Sequence, residues 1–299
     1  EPILAVAADD ELTAAEAIER IQIDFEPLPF VVDPIEALRP GSDNPREQGN
    51  VWVGTQVENF KLTADEWRGV EEGRLPFREA PDTYEVGDVE TAFEEADLII
   101  DETLVQPSNN HDCMEPRSTM AYWQNGKCYL YGSTQSQSFV IPGLAKLLGI
   151  DTSELVYVAE YCGGGFGSKA MGSIQMAIPA LLSRKAGQPV MMRISREEEH
   201  FIGRARPGLQ GRIKIGYRRD GRVTAIDMFL VQDGGPYGRS GDHRQAAEMA
   251  SLMYQPLSQR LRGLSIYTNT PPRSAQRAPG GLQAVSMIAP MMHHAAKIA

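Results

Sequence analysis

The chain is poor in the side chains that most often build protein-held metal sites and disulfide frameworks. Its 299 residues include three cysteines and five histidines. The cysteines, Cys113, Cys128 and Cys162, are odd in number and never stand in C-x-x-C spacing. This pattern supports neither a disulfide framework nor an iron–sulfur or zinc site held by thiolates. We therefore expect all three to be buried free thiols.

Positive charge and long apolar runs are also scarce. The chain has 40 acidic side chains against 29 lysines and arginines, a formal net charge of -11, which argues against nucleic acid or an anionic membrane as a partner. No apolar run approaches the roughly 20 residues that a transmembrane helix needs, so we expect no membrane insertion. With 42% hydrophobic and 23% charged residues, the composition is typical of a soluble globular protein, and the length suffices for two domains.

The most distinctive segment that is present is rich in glycine. Residues 160–169 have the sequence EYCGGGFGSK, directly after the apolar run 155–159. The run predicts a buried strand, and a helix is predicted after Lys169. Three consecutive glycines at such a junction indicate a backbone that takes positive φ or closely approaches another group. Ala170 breaks the P-loop pattern and Ser168 breaks the dinucleotide fingerprint, which argues against a nucleotide-phosphate site. A tight glycine turn without a ligand is the simpler alternative.

Hydrophobic patterns along the chain predict an α+β fold. Near the N-terminus they predict strands at 3–8 and 21–25 around a short helix that the capping box Thr13-Ala-Ala-Glu16 opens, with Ala17, Ile18 and Ile21 facing inward. Residues 39–84, rich in proline, glycine and charge, predict a long connector. Farther along, the patterns predict helices at 87–97, from 139 onward, at 174–186 with a kink at Pro179, and at 282–299. They predict strands at 98–105, 121–123, 128–131 and 190–194. They also predict a hairpin of 211–217 with 222–232 around Arg219-Asp-Gly221.

Four segments, met in the same order along the chain, resemble motifs of the large molybdopterin-binding subunits of the xanthine dehydrogenase and aldehyde oxidase family. They are 109–117 (NNHDCMEPR), 133–135 (STQ), 160–169 (EYCGGGFGSK) and 268–283 (TNTPPRSAQRAPGGLQ). The resemblance implies that residues 1–38 are the C-terminal part of an α/β hammerhead domain, 39–83 a connector, and 84–299 the first half of a molybdopterin-binding domain. The chain is then expected to be an internal portion of a longer subunit or one piece of a split subunit.

The resemblance also implies a set of cofactor contacts. Phe166 and Gly167 would lie near the molybdenum without being its ligands, because the pterin dithiolene holds the metal in this family. Asn109 stands roughly where the family often has a glutamine near the metal's oxo ligand; the alternative is an Asx turn after Pro107-Ser108. The remaining candidate contacts with the pterin and its nucleotide are Gln135, Gly164, Gly165, Arg277, Gly280, Gly281 and Gln283.

Three of these candidates have a physical reason to bind a pterin nucleotide. The planar fork of Arg277 suits a phosphate or a pterin carbonyl, with an ordinary surface charge as the alternative. Gly280 and Gly281 would let the backbone approach the cofactor closely.

His111 and Glu115 also suggest a metal site, but the family's metal is held by its cofactor. We therefore expect structural roles: a hydrogen-bonded histidine, and a buried carboxylate that pairs with Arg117. We expect a similar structural role for His243.

The implied function is that of a molybdenum hydroxylase, an oxidoreductase that hydroxylates an aldehyde or aromatic heterocycle with water as the oxygen source. The implied cofactor is molybdenum-molybdopterin in its cytosine dinucleotide form, with [2Fe-2S] clusters and FAD or haem on partner chains. The implied partners are an iron–sulfur subunit that receives the electrons, a flavin or cytochrome subunit, the remaining part of the molybdopterin subunit and a small-molecule substrate. We expect a cytoplasmic location, with the periplasm as the alternative.

Departures from the family pattern narrow this expectation. Ala170, Met249 and Pro279 stand where purine-hydroxylating members have an acidic residue, an arginine and a stacking aromatic, which leaves aldehydes, aromatic heterocycles and aromatic thioesters. The family's catalytic base, a glutamate in a later G-x-G-E segment, has no match among these residues. We therefore expect the isolated chain to be inactive. The alternative function is a non-catalytic assembly or cofactor-binding module that lacks the catalytic glutamate.

Overall fold

The computed structural model describes residues 2–238 and 241–298. The chain divides into two compact units, and each is built from two stretches of sequence. The first unit is Glu1–Leu28 with Asn110–Arg204, and the second is Pro29–Asn109 with Ala205–Ala299. Both contain helices and sheet, in agreement with the mixed α and β fold that the sequence predicts. The hammerhead assignment and the domain limits at 38/39 and 83/84 stay predictions.

In chain order, the described residues form the following elements. The strands are β1 (Val51–Val53), β2 (Gln56–Glu58), β3 (Asp82–Val86), β4 (Leu98–Gln106), β5 (Asn109–Asn110), β6 (Thr119–Gln124), β7 (Lys127–Gly132), β8 (Leu155–Val158), β9 (Val190–Met192), β10 (Ala205–Arg206), β11 (Leu209–Tyr217), β12 (Val223–Gly235) and β13 (Ser258–Tyr267). The helices are α1 (Glu11–Glu19), α2 (Ala64–Glu71), α3 (Val89–Glu94), α4 (Gln137–Leu148), α5 (Ile174–Ala186), α6 (Arg196–Ile202), α7 (Asp242–Tyr254) and α8 (Gly281–Ile298).

The first unit contains a sheet whose described strands run in the order β8-β7-β6-β9. Side chains alternate along β7, so that Cys128 and Leu130 are buried against α4 and α5. Leu144 of α4 and Met176 of α5 fill the same core. Helix α4 ends at Gly149, whose φ of 66° is the left-handed geometry that glycine adopts easily. The strands and helices predicted between 110 and 204 are confirmed, although the helix expected after Lys169 begins only at Ile174.

The second unit is built on a larger sheet. Its described strands run in the order β2-β1-β13-β12-β11-β4, and β3 also pairs with β13. All thirteen residues of β12 are buried, because apolar clusters cover both faces of the sheet. Met228 and Leu230 face the cluster that α7 and α8 complete. Phe229 and Val231 face the opposite cluster, which includes Trp67 of α2.

Two predictions in this unit are confirmed by its pairing. Strands β11 and β12 are antiparallel neighbours, as the hairpin signal at 219–221 indicates. The last helix runs from Gly281 to Ile298, close to the predicted 282–299, whose final residue lies outside the described part of the chain.

The predicted N-terminal βαβ arrangement is wrong. Within the described residues, neither 3–8 nor 21–25 forms a strand, and apolar alternation does not make a strand where no neighbouring backbone completes its hydrogen bonds. Helix α1 begins earlier than predicted because Asp10 caps it, accepting from the Thr13 N–H at 2.8 Å. Ile18 and Ile21, expected to face inward, are exposed.

The segment predicted as a connector contains regular structure. It includes β1, β2, α2 and the first residues of β3, and β1 and β3 both pair with β13. A capping box between Thr63 and Glu66 opens α2, and Trp67 brings this helix into the core. High proline and glycine content concealed these short elements. Across the part of the chain that the structure describes, every helix is too short or too polar to span a membrane.

Candidate functional site

The glycine-rich loop of the first unit has an unusual backbone. Gly164 and Gly167 have φ values of 101° and 113°, and Phe166 between them has a φ of 51°. The predicted positive φ is thus confirmed at two glycines and extends to a residue that rarely adopts it. Phe166 is 43% exposed, so it is not a core residue. The loop therefore presents one large ring and bare backbone at the protein surface.

Gln135 lies against this loop and fixes its shape. Its Oε1 accepts from the Gly167 N–H at 2.7 Å, and its own backbone N–H donates to the Lys169 carbonyl at 3.2 Å. A side chain on Gly165 would overlap the Gln135 carboxamide, with its Cβ 3.1 Å from Cδ. Gly165 does not have positive φ. The position needs glycine because Gln135 passes directly over it.

Glu115 and Lys169 hold the two ends of the loop. Lys169 is fully buried, and its Nζ donates to the Glu115 carbonyl at 2.8 Å and to Oε2 at 3.0 Å. The Gly163 N–H donates to the same Oε2 at 2.6 Å. Burial raises the pKa of the Glu115 carboxyl, but these hydrogen bonds outweigh it and hold the pKa below its usual range. The predicted pairing of Glu115 with Arg117 is wrong, and the Glu115 side chain is 42% exposed rather than buried.

Arg117 instead pairs with Glu199 of α6. The two side chains are 2% and 8% exposed, and Arg117 Nε lies 3.0 Å and 3.1 Å from the carboxylate oxygens. Arg117 Nη2 also donates to the Ser168 carbonyl at 3.3 Å, inside the glycine loop. A buried ion pair therefore supports the loop from below. Local sequence patterns do not single out Glu199, which is one of three consecutive glutamates.

The histidine and cysteines near the loop have structural surroundings. His111 is buried, and its Nδ1 lies 2.7 Å from the Arg204 carbonyl, which confirms a hydrogen-bonded histidine. Cys113 is buried with its Sγ 3.5 Å from the Gly165 carbonyl, and burial raises the pKa of its thiol. Cys162 is exposed, so the expectation of three buried thiols fails there. Among the described residues, His, Cys, Asp and Glu side chains nowhere form a group of three that could hold a metal ion.

The other candidate residues lie in the second unit. Arg277 and Gly280 are on the loop between β13 and α8, Gly281 and Gln283 are in the first turn of α8, and Asn109 is in β5. Asp233 and Arg273 form a buried ion pair at the start of the loop between β13 and α8, with Arg273 Nη2 2.6 Å from Oδ2. Asn109, predicted near a metal oxo ligand, donates through Nδ2 to Gln276 Oε1 at 3.0 Å. Arg277 is exposed, and its carbonyl accepts from Arg206 Nη2 at 2.8 Å.

The glycines of this loop pack against the protein itself. Gly280 has a φ of 70°, and a Cβ there would lie 2.5 Å from the Gln245 carbonyl carbon. Its small size therefore admits helix α7 on this side, and a cofactor contact at Gly280 stays a prediction. At Gly281 the nearest atom to an added Cβ is Ala278 Cβ at 3.4 Å, an ordinary contact.

Gln283 is fully buried. Its Nε2 donates to the Asp242 carboxylate at 2.9 Å and to the Pro207 carbonyl at 3.2 Å. Its Oε1 accepts from Arg206 Nη1 at 3.1 Å. Both donor hydrogens of the amide are thus used within the chain, and a cofactor contact at this residue stays a prediction. Arg206 and Asp242 were not singled out by the sequence, although an acidic residue at the start of a helix is a recognisable signal.

Each unit therefore offers one surface with defined chemistry. In the first, the Gln135 amide and a bare glycine backbone adjoin the exposed Phe166 ring, which suits a flat polar group. In the second, an exposed guanidinium projects from a firmly held loop, which suits a phosphate.

Comparisons with known proteins give a consistent family. Residues 74–298 match the family model described as the molybdopterin cofactor-binding domain. The chain is 29% identical over 284 residues to a subunit of a probable xanthine dehydrogenase of Bacillus subtilis, covering 94% of this chain and 34% of the relative. It is 31% identical over 228 residues to an aldehyde oxidoreductase molybdenum-binding subunit of Escherichia coli, covering 75% of this chain and 30% of the relative.

Solved structures share the fold. An aldehyde oxidoreductase from Desulfovibrio gigas gives a TM-score of 0.75 at 23% identity, over 96% of this chain and 30% of that chain. Quinoline 2-oxidoreductase from Pseudomonas putida 86 gives a TM-score of 0.72 at 20% identity, over 91% of this chain and 32% of that chain. The chain thus spans about a third of the length of these relatives.

Proposed function

The chain belongs to the molybdopterin cofactor-binding domain family, and from that premise we propose that it supplies part of the cofactor-binding surface of a molybdenum hydroxylase-type oxidoreductase. The observation that carries the proposal is the glycine loop held by Gln135. Its backbone is open beside Phe166, while Lys169 and the Arg117–Glu199 pair, which also hold it, are buried.

The residues of the first unit fit a molybdopterin. The Gln135 Nε2 group has no acceptor within the described residues, and the side chain is exposed. It offers neutral hydrogen-bond donors to an oxo or carbonyl group without adding charge. Gly164 and Gly167 carry no side chains, so a ligand can approach their backbone closely. We therefore assign Gln135, Phe166 and Gly167 to the metal end of the cofactor.

The second unit, taken by itself, fits a phosphate of a nucleotide. Arg277 is exposed and always charged, and its planar fork can bind a phosphate through two hydrogen bonds. This supports a dinucleotide form of the cofactor, and we propose the cytosine dinucleotide. Asn109 and Gln283 act through the loop, since their amides hydrogen bond to Gln276 and Arg206.

The bound cofactor would supply the redox chemistry of hydroxylation, and the chain's own residues would bind and orient it. A general base works best with a pKa near the working pH. The Glu115 pKa lies below its usual range because Lys169 and the Gly163 N–H hold the ionised form. Glu115 is therefore poorly suited to take up a proton. We propose that the base, and the iron–sulfur clusters that receive electrons, lie on other segments or partner chains.

For the substrate we propose an aldehyde or an aromatic heterocycle. Ala170, Met249 and Pro279 provide neither the carboxylate, the guanidinium nor the ring expected for purine binding. The names of the relatives cover both classes: a probable xanthine dehydrogenase and an aldehyde oxidoreductase. A non-catalytic cofactor-binding module is the second candidate, and the engagement of Glu115 and Glu199 in ion pairs favours it.

The test is molybdenum and pterin analysis of the purified complex that contains this chain. We expect about one molybdenum per copy. Gln135→Ala should lower the molybdenum content several-fold, whereas Gln124→Ala, at the exposed end of β6, should not. A fully assembled wild-type complex without molybdenum and pterin would refute the proposal.

A second experiment tests whether the catalytic base lies outside this chain. Residues 1–299 alone, reconstituted with cofactor and assayed with aldehydes, heteroaromatics and an artificial electron acceptor, should show no turnover. A positioned base contributes about 10²–10⁴-fold to the rate. Robust turnover would mean that the base lies within this chain, and Glu115, Glu160 and Glu248 would then be the residues to substitute.

A further inference from the structure

Arg206 of β10 is buried beneath the loop that carries Arg277, and its guanidinium donates to four acceptors there. Nε donates to Gln276 Oε1 at 3.1 Å, and Nη2 donates to the Arg277 carbonyl at 2.8 Å. Nη1 donates to the Ala278 carbonyl at 3.2 Å and to Gln283 Oε1 at 3.1 Å. The side chain is 4% exposed. One guanidinium thus holds three consecutive residues of the loop and the first turn of α8.

From this geometry we infer that Arg206 is a positioning residue that fixes the backbone of the Gln276–Ala278 turn for ligand binding. Ala278 has a φ of 57°, a conformation that residues other than glycine rarely adopt. Such a conformation persists where surrounding contacts determine it. The Arg277 and Ala278 carbonyls both accept from Arg206. These hydrogen bonds hold Ala278 in its positive-φ conformation.

The orientation of the carbonyls has a consequence for the opposite side of the turn. In a trans peptide unit, the carbonyl and the following N–H point in opposite directions. Since the Arg277 carbonyl points to the buried guanidinium, the Ala278 N–H points away from it. Ala278 is exposed, and its N–H has no acceptor within the described residues. Arg206 therefore presents a backbone donor, next to the Arg277 guanidinium, to an anionic or carbonyl oxygen of a ligand.

A lysine at position 206 cannot make the same set of hydrogen bonds. Arginine has five donors in a planar fork, while lysine has three on a single rotating atom. Burial lowers the pKa of the Arg206 guanidinium, and the Asp242 carboxylate opposes this effect. Asp242 accepts from Gln283 Nε2 at 2.9 Å, so the same amide connects it to Arg206. The positive charge of Arg206 is thereby balanced inside the unit, and the donor that reaches the surface is the backbone N–H that it orients.

The positioning role rests on the proposed function only for the identity of the ligand, so the first measurement uses protein without cofactor. Hydrogen exchange of the peptide that covers 276–281 is compared between wild type, Arg206→Lys and Gln276→Ala. The control is Arg212→Lys on the neighbouring strand β11, where Arg212 pairs with Asp101 at 2.6 Å. We expect exchange in 276–281 to rise about tenfold in Arg206→Lys and less in Gln276→Ala, with no change in the control.

The second measurement is the molybdenum and pterin content of the same variants in the assembled complex. We expect a large loss in Arg206→Lys even where its melting temperature matches that of the control. If Arg206→Lys does not fold, Gln276→Ala decides, because it removes one acceptor and leaves the arginine in place. Unchanged loop exchange in the variants that fold would overturn the inference. Faster exchange together with a wild-type complex that lacks pterin would uphold the positioning role and refute the proposed function.

Discussion

The substitution Gly165→Ala separates two reasons for a glycine in the loop. The backbone at this residue does not require positive φ, so an alanine meets no conformational barrier of that kind. Its Cβ would instead overlap Gln135 Oε1 and lie 3.1 Å from Cδ and 3.2 Å from Cβ of the same side chain. Gln135 must therefore move away, and its 2.7 Å hydrogen bond to the Gly167 N–H is lost.

The size of the effect follows from what is lost. A hydrogen bond of this kind contributes about 0.5–1.5 kcal/mol, and forcing a methyl group into a tight site costs about 1–3 kcal/mol. Because Gln135 is exposed and can swing out, we expect the low end, about 1–2 kcal/mol in total. The fold should survive with its melting temperature lowered by roughly 2–8 °C. Molybdenum content should fall much further, because the displaced carboxamide no longer supports the loop.

The assay is a double-mutant cycle in thermal unfolding, with metal analysis of each variant. In the Gln135→Ala background the obstacle is gone, so Gly165→Ala should cost almost nothing. Gly143→Ala is the matched control: it lies within α4, and its added Cβ would be 3.7 Å from the nearest atom. That change should be neutral or stabilising. Additive costs in the cycle, or full molybdenum in Gly165→Ala, would refute the reasoning.

Three further predictions concern the framework of the two units. Glu199→Gln leaves the buried arginine beneath the glycine loop without a counter-charge and should destabilise the fold by about 3 kcal/mol or more. Glu197→Gln, exposed in the same helix, should cost less than about 0.5 kcal/mol. Equal melting temperatures of the two variants would contradict this prediction. Gly280→Ala should destabilise by about 2 kcal/mol or more, because its Cβ would meet the backbone of α7 at positive φ, while Gly281→Ala should be tolerated in the same denaturant titration. Burial raises the pKa of Asp82, but hydrogen bonds from His243 and Arg244 lower it to about 2 from 3.8. The contribution of Asp82 to folding stability is therefore complete above about pH 4 and is lost as the pH falls toward 2. Asp82→Asn should flatten the dependence of stability on pH in that window.

Turn sequences and hydrophobic periodicity correctly predicted the helices and strands that depend on neighbouring residues. The β11–β12 hairpin has a strong turn sequence at 219–221, and α5 keeps its predicted limits, 174–186, despite an internal proline. Strand β13 escaped notice because buried arginines interrupt its apolar pattern. Arg262, for example, is 7% exposed and pairs with Asp227 of β12. Burial of such a charge depends on a partner elsewhere in the sequence, and no local pattern reports it.

In the candidate site, too, local sequence predicted some features and missed those that depend on distant partners. The motif at 160–169 marked the loop whose predicted positive φ is confirmed at Gly164 and Gly167. The motifs do not include Glu199 and Arg206, which also hold the glycine loop and the loop between β13 and α8. They also predicted a close approach at Gly280, and the structure shows that an added Cβ there would meet the backbone of helix α7. A glycine in a sequence indicates that something comes close, without indicating what.

The division of the second unit between two stretches of sequence affects the order in which the chain can fold during synthesis. Strands β3 and β4 emerge early, but their partners are β13 and β11, with Gln106 opposite Leu209 and Val86 opposite Gln259. At about 5–20 residues per second, roughly 10–30 s pass between the appearance of residue 109 and the completion of β13. During that time the residues from 110 to 204 can fold on themselves. The apolar side chains of 29–109 stay exposed, because the strands that complete their sheet have not yet been synthesised. Nascent chains of this protein should therefore depend most on chaperones before β13 leaves the ribosome.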